Sequence, residues 1–185
     1  IYRKDVWLGI AKLSNDFTLA SASKNKLNIK TFNPKKVFKQ YNSSELKNFY
    51  FKKIIFFQYI PNFFSYFFKN NIIILPGEIS LISTWLILLL SKIFNKKTII
   101  WTHGLYGREN KLRVKISILF YKLANQIWVY NNYSKKLLTK KIKQNKVKIV
   151  YNSNSFIENK GTNCKNNFDK VKNWLNENTN SKKIL

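Results

Sequence analysis

Short apolar runs alternate with amphipathic patterns along this chain. The runs at residues 71–75 and 97–102 are rich in isoleucine and are followed by loops that contain glycine, which is typical of buried parallel strands. Strands that alternate with helices indicate an α/β fold, here a Rossmann-like parallel sheet flanked by helices. The helix predicted after the second run has one apolar face, made of Leu112, Ile116, Leu119, Phe120 and Leu123.

The same reading of the pattern predicts the remaining elements. Residues 29–48 are weakly patterned and are interrupted by Pro34. Further helices are expected to begin near Val6, Pro61 and Tyr133. The further predicted strands are residues 16–22, 49–59, 126–130 and 146–151.

Residues 79–94 form the longest apolar run of the chain. A membrane-spanning helix needs about 20 apolar residues, and this run is shorter and contains Ser83, Ser91 and Lys92. A helix that is apolar on all sides is also what the core of a doubly wound fold requires. We therefore predict a buried core helix rather than a transmembrane segment.

Polar loops follow several of the predicted strands. The carboxyl ends of parallel strands meet at one edge of a sheet, where ligands bind in open α/β folds. The loop at residues 103–109 begins with His103, the only histidine of the chain. The simplest interpretation of each single loop is a turn or a helix cap. Because several polar loops are expected at the same edge, together they predict the border of a polar cleft. The loops are residues 2–3, 76–78, 103–109, 131–132 and 152–153.

The strong positive charge of the chain indicates an anionic partner. The net charge is +26, and no acidic residue occurs between Asn110 and Ile157, against eleven lysines or arginines. Lysine accounts for 31 of the 34 basic residues, whereas base and phosphate recognition favours arginine, and no nucleic-acid-binding motif is present. An anionic membrane surface is therefore expected as a partner ahead of nucleic acid.

The sequence lacks the motifs of several common kinds of binding site. Neither a GxGxxG nor a GxxxxGK[ST] phosphate loop is present, and no histidine, cysteine or carboxylate cluster has metal-ligand spacing. We therefore predict neither a cofactor nor a metal. The single Cys164 cannot form an internal disulfide and fits a reducing compartment.

Five segments resemble, in the same order, the N-terminal domain of the "group 1" glycosyltransferases of the GT-B fold. Each segment is a weak motif, and the resemblance, which covers most of residues 1–155, rests on their shared order. Asn125 stands where the family has aspartate, and its role is expected to be structural. The segments are residues 2–3 with the following helix, 75–78 (LPGE), 100–104 (IWTHG), 124–138 (with ANQIWVYN and SKKLL) and 148–153 (KIVYNS).

The resemblance implies a division of the chain. Residues 1–155 would be the Rossmann-like, acceptor-side domain without its first strand, and residues 156–167 a polar linker. Residues 168–185 would be a helix and the start of the first strand of a truncated second domain, which in the family binds most of the nucleotide-sugar. The fragment alone is therefore expected to be inactive.

The resemblance also implies roles for the strand-end residues. His103 would position the transferred sugar or its phosphate, without a metal. Tyr2, Arg3, Gly77 and Glu78 would face the acceptor. Further substrate contacts are expected from Gly104, Tyr106, Arg108, Glu109, Asn131 and Asn152, and Glu109 is the one nearby carboxylate that could pair with His103 if the histidine acted as a base.

The expected function is transfer of a sugar from a nucleotide-sugar to a glycan or lipid-linked acceptor in bacterial surface polysaccharide synthesis. The protein is expected in the cytoplasm, at the inner face of the cell membrane. Two alternatives stay open from the sequence: a lysine-rich nucleic-acid-binding domain, and a non-enzymatic α/β protein of the membrane surface.

Overall fold

The computed structural model describes residues 4–12, 16–22, 42–51, 54–150 and 183–184. Residues Gln144–Lys146 form a 3-10 turn. The elements are, in chain order, α1 (Lys4–Lys12), β1 (Asp16–Ser21), β2 (Asn42–Glu45), β3 (Lys47–Phe51), β4 (Ile54–Tyr59), α2 (Phe63–Lys69), β5 (Ile72–Pro76), α3 (Ile82–Ile93), β6 (Lys97–Thr102), α4 (Lys111–Leu123), β7 (Gln126–Val129), α5 (Asn132–Thr139), β8 (Val147–Ile149) and β9 (Lys183–Ile184).

Seven of the strands form one parallel sheet. Their order is β2-β1-β9-β5-β6-β7-β8, and each neighbouring pair runs in the same direction. The strands β5 to β8 are joined by α3, α4 and α5, as parallel pairs require a crossover. The predicted α/β class with a Rossmann-like parallel sheet is confirmed.

Both faces of the sheet are buried. Alternate residues of a strand point to opposite faces, so neighbouring residues belong to different cores. On one face, Ile100, Ile127 and Val129 belong to the larger core, together with Phe120 of α4 and Leu138 of α5. The opposite face holds a second core, in which three of the five buried residues are aromatic. Its members are Ile72, Ile99, Trp101, Trp128 and Tyr130, with Trp7 of α1 packed against them at 5.2 Å between the rings of Trp7 and Trp101.

Two parts of the sequence reading differ from the structure. The predicted single strand at residues 49–59 is instead the hairpin of β3 and β4, an antiparallel two-stranded sheet of its own. The lysine pair at residues 52–53 separates its two apolar halves. The weakly patterned region contains β2, whose sequence NSSE lacks apolar residues and which pairs with β1 at the edge of the main sheet.

The apolar run at residues 79–94 forms the helix α3, but the helix is buried on one side only. Ser83, Ile87 and Leu88 face the core, whereas Leu86 and Leu89 on the opposite side are about half exposed, at 48% and 47%. Prediction of a helix was therefore right, and prediction of burial on all sides was wrong. Among the residues that the structure describes, no helix is long and apolar enough to cross a membrane.

Only part of the apolar face predicted for the helix α4 faces the core: Phe120 is buried and Leu123 packs against the core, whereas the other three residues do not. Leu112, Ile116 and Leu119 are exposed. The buried side contains two polar residues, Ser117 and Tyr121, beside Ile118 and Phe120. Because two stripes of this helix contain apolar residues, spacing alone did not decide which one faces the sheet.

Asn125 has the structural role expected for it. Its side-chain oxygen accepts hydrogen bonds from the backbone N–H of Thr98 at 2.9 Å and from the Thr98 hydroxyl at 3.0 Å. Its own backbone N–H donates to the Thr98 carbonyl at 3.1 Å. These bonds join the start of β6 to the start of β7, at the end of the sheet away from the polar loops.

We predict that Asn125→Ala lowers the free energy of unfolding by about 1–2 kcal/mol, because the Thr98 donors lose their acceptor. Asn125→Asp is the matched control, since a carboxylate also accepts both bonds, and it should stay within about 0.5 kcal/mol of the parent. Urea denaturation measures both variants. Equal losses for Ala and Asp would contradict this account of the contact.

Candidate functional site

A cleft of about 820 Å³ lies at the carboxyl ends of β5 and β6. We call it the rim cleft. Its walls are the loop between β5 and α3, the loop between β6 and α4, and the first turns of α4. The side chains and backbone that line it include Pro76, Gly77, Glu78, Thr102, His103, Gly104, Tyr106, Arg108, Glu109, Asn110, Arg113, Ser117 and Tyr121.

Glycine allows each of the two loops to pack closely against a neighbouring part of the fold. A Cβ atom at Gly77 would overlap the side chain of Thr102 and lie 2.7 Å from Ile100 Cγ2. Gly104 has φ of +77°, which other residues rarely adopt, and a Cβ there would press on Ser134 at 3.1 Å. Gly77 therefore lets the first loop pack against β6, and Gly104 lets the second loop pack against α5.

The hydroxyl of Thr102, buried at the end of β6, connects three parts of the cleft. It donates to the Gly77 carbonyl at 3.2 Å and accepts from the Gly104 N–H at 3.1 Å. The Tyr121 hydroxyl of α4 lies 3.1 Å from the same oxygen. A threonine hydroxyl has one proton to give, so Tyr121 is the donor in the third bond.

The ionisation of Tyr121 agrees with its role as a donor. Burial raises the pKa of its phenol, and the negative charges of Glu78 and Glu109 act in the same direction. The phenol therefore keeps its proton at neutral pH. A neutral tyrosine at the floor of the cleft holds the three loop contacts together.

Glu109 organises the loop that follows His103. One of its oxygens accepts from the Tyr106 N–H at 2.6 Å and the other from the Gly107 N–H at 2.9 Å. Partial burial tends to raise the pKa of this carboxyl. The backbone N–H groups of Tyr106, Glu109 and Gly107 and the charge of Arg113 outweigh burial, so the pKa is lowered.

His103 stands at the mouth of the cleft, directly after β6, and is exposed. Its ring centroid lies 4.5 Å from that of Tyr130 and 6.2 Å from that of Tyr106, to which it is nearly parallel. The Arg108 guanidinium lies 5.8 Å from the Tyr106 ring centroid. The imidazole is thus packed among aromatic rings at a position open to a ligand.

Positive charge borders one wall of the rim cleft. Arg108 and Arg113 line it, and Asn110 caps the start of α4 by accepting from the Arg113 N–H at 2.8 Å. The first turn of α4 carries no acidic residue. The amino end of a helix favours negative charge, so this wall suits a phosphate-bearing ligand.

The structure brings most of the proposed site residues together and separates one. Asn131 caps α5, where its side chain accepts from the Ser134 N–H at 2.8 Å, and it does not line the rim cleft. Tyr2, Arg3 and Asn152 lie outside the described residues, as do the proposed linker and the helix after it. The seven that line the cleft are Gly77, Glu78, His103, Gly104, Tyr106, Arg108 and Glu109.

Sequence reasoning missed the residues of the cleft floor. The sequence assigns Thr102 to the end of a strand and to the IWTHG segment without a role of its own, and Tyr121 lies within a helical pattern. The available signal was the spacing of Ser117 and Tyr121, which places two hydroxyl groups one helical turn apart on a side of α4 that includes apolar residues.

A second cavity, of about 410 Å³, lies beside the rim cleft between β1 and β5. Its lining is mainly apolar, with Trp7, Phe17, Leu19 and Leu75 among its members, and none of the described residues that line it is charged. Pro76 and Trp101 line both cavities. The polar cleft and the apolar cavity are therefore neighbours.

No protein-family model, curated protein or solved structure matches this chain. Within the described ranges, no group of three or more histidine, cysteine or acidic residues could hold a metal ion. The functional groups of the cleft are its hydrogen-bonding and charged side chains.

We predict that Thr102→Val lowers the free energy of unfolding by about 2–3 kcal/mol, because the Gly104 N–H and the Tyr121 hydroxyl lose a buried acceptor. Thr102→Ser keeps the hydroxyl and should lose only about 1 kcal/mol, for the missing methyl group. In the double variant Thr102→Val/Tyr121→Phe the losses should be less than additive. Additive losses in urea denaturation would show that the two hydroxyls are not coupled.

A second prediction concerns pH. The pKa of Glu109 is lowered by folding, so its stabilising effect is complete above the ordinary value of 4.5 and is lost as the pH falls through the lower folded-state value. Glu109→Gln should therefore reduce the dependence of unfolding free energy on pH below about 4.5. Unfolding curves of parent and variant at several acidic pH values measure this difference, and parallel curves would contradict it.

Proposed function

We propose that this chain is the acceptor-side domain of a glycosyltransferase of the GT-B type. The enzyme of which it is a part would transfer a sugar from a nucleotide-sugar to a glycan or lipid-linked acceptor, in the synthesis of a bacterial surface polysaccharide. The observation that carries the proposal is the rim cleft, a polar cleft at the carboxyl ends of parallel strands in a Rossmann-like sheet.

The charges of the cleft suit the chemistry. In glycosyl transfer from a nucleotide-sugar, negative charge grows on the departing diphosphate while positive charge grows on the sugar ring. Arg108, Arg113 and the amino end of α4 border one wall and favour an anion there. The amino end of α4 is fixed by the fold, whereas the two arginine side chains are exposed and can adjust to a bound anion.

His103 is the residue proposed to contact the transferred sugar or its phosphate. Both oxygens of Glu109 accept hydrogen bonds from backbone N–H groups of its own loop, and its lowered pKa makes it a weak proton acceptor. Glu109 is therefore better suited to shaping the loop than to assisting a histidine base. We assign His103 a positioning role, by a hydrogen bond from its ring.

The apolar cavity beside the cleft supports an acceptor with an apolar part. It meets the rim cleft at Pro76 and Trp101, and its apolar lining favours hydrocarbon over a hydrated sugar. An acceptor that joins a polar head to a lipid chain would have a suitable surface for each part.

The first test is transfer by the intact protein that contains this chain. A panel of nucleotide-sugars is supplied with short-chain lipid-linked and free glycan acceptors, and release of nucleoside diphosphate is measured. We expect release with one donor that depends on the acceptor. Absence of release with every donor, together with tight binding of an RNA oligomer, would favour the nucleic-acid alternative instead.

In the intact protein, His103→Ala should lower kcat by about 100-fold or more, since loss of one fixed contact to the developing charge costs about 3 kcal/mol. Its Tm should stay near that of the parent, because His103 is exposed. Lys140→Ala, an exposed substitution outside the cleft, is the control for activity. Near-parental turnover by a stably folded His103→Ala protein would remove this residue from the active site.

A further inference from the structure

The outer side of α3 carries a stripe of exposed apolar residues. Ile82, Leu86, Leu89 and Ile93 recur at intervals of four, three and four residues, so they share one side of the helix. The most exposed of them, Ile93, keeps 74% of its surface accessible. Single exposed leucines are common on protein surfaces, but a regular stripe opposite the core of a helix needs an explanation.

The neighbouring helix α4 repeats the feature. Leu112, Ile116 and Leu119 form an exposed stripe on its outer side. Both helices contribute to the same core on one face of the sheet, and they are in contact through the rings of Trp85 and Phe120, whose centroids are 4.9 Å apart. The two stripes therefore lie side by side and face away from the sheet.

Aromatic residues extend this surface beyond the end of α3. Phe94 follows the α3 stripe, and its ring lies 5.1 Å from that of Phe68 on α2. Phe64, one helical turn earlier on α2, stacks on Phe68 at 6.4 Å. All three rings are about half exposed or more. We call the outer sides of α2, α3 and α4 the helical apolar surface.

The charge around the helical apolar surface has one sign. Lys92 of α3 and Lys115 and Lys122 of α4 are exposed beside the stripes, and the sequences of α2, α3 and α4 contain no acidic residue. A lysine beside exposed apolar groups can lay its hydrocarbon stem on them while its ammonium group reaches an anion.

We propose that the helical apolar surface docks on an anionic lipid bilayer, with α3 and α4 lying parallel to the membrane plane. The apolar stripes would enter the boundary between headgroups and acyl chains, and the flanking lysines would contact phosphate and other anionic headgroup oxygens. This proposal does not depend on glycosyl transfer, because lipid binding is measured without substrate.

Charge favours a bilayer over a second copy of this chain. Pairing two helical apolar surfaces would bring lysines against lysines, in a protein whose net charge is already +26. Anionic lipids instead neutralise the lysines while the acyl region accepts the isoleucine and leucine side chains. A bilayer therefore provides partners for both the lysines and the apolar side chains of this surface.

The test is flotation of the protein with vesicles at low salt. We expect binding to vesicles of phosphatidylglycerol mixed with phosphatidylcholine and little binding to phosphatidylcholine alone. Lys92→Gln/Lys115→Gln/Lys122→Gln should weaken partitioning by about 10- to 100-fold. The matched control, Lys140→Gln/Lys141→Gln/Lys148→Gln, removes the same charge from exposed positions after α5 and on β8 and should weaken partitioning less than threefold, an effect on the order of screened long-range attraction.

The apolar part has its own pair of variants. Leu89→Gln/Leu119→Gln should weaken partitioning by about tenfold or more, whereas Phe51→Gln/Tyr133→Gln, exposed on β3 and α5, should not. A readout that does not rely on a loss of binding uses the Cys164→Ser background. An environment-sensitive dye at Leu112→Cys should brighten on vesicles, and the same dye at Lys140→Cys should not.

Three results would overturn the proposal. Equal effects of the test and control lysine variants would mean that net charge alone acts. Equal dye responses at positions 112 and 140 would mean that the surface does not enter the lipid. Self-association that the Leu89→Gln/Leu119→Gln variant abolishes, without binding to anionic vesicles, would assign the surface to a second copy of the chain.

Discussion

The central constraint on this structure is that β6 has no side facing solvent. Each residue from Thr98 to Thr102 is buried, so the strand needs apolar cover on both faces and a paired strand at each edge. β5 and β7 occupy the edges, α3 and α4 cover one face, and the cluster with Trp7 covers the other. The two-core architecture follows from this requirement.

The same strand also fixes the positions of the loops that form the rim cleft. A loop at the end of an exposed strand could shift freely, but β6 ends in a buried hydroxyl that contacts Gly77, Gly104 and Tyr121. Breaking any of these contacts leaves a polar group without its partner in a region of low water content, which is costly. The floor of the cleft is therefore held by the core, and its mouth, with His103, is the part that is open to a ligand.

The amino-acid pattern correctly predicted the strands that are buried on both faces. It was less informative about strands and helices that are buried on one side only. The strands at residues 71–75 and 97–102 were evident, since buried strands are apolar throughout. By contrast, β2 has no apolar residue, and α4 offers two stripes between which only tertiary packing decides. The site was predicted in part, because strand-end loops can be read from sequence, whereas the contact between Thr102 and Tyr121 spans 19 positions and leaves no local signal.

One element, α4, borders the rim cleft with its first turn and carries an exposed apolar stripe along its length. A 13-residue helix is about 20 Å long and, with side chains, about 10 Å across. Under the two proposals above, α4 lies flat on the bilayer, so its diameter sets the height of the active site above the membrane. Reaction rate would then follow the number of acceptors per unit area of membrane rather than their concentration in bulk, so diluting the acceptor with inert lipid would slow the enzyme.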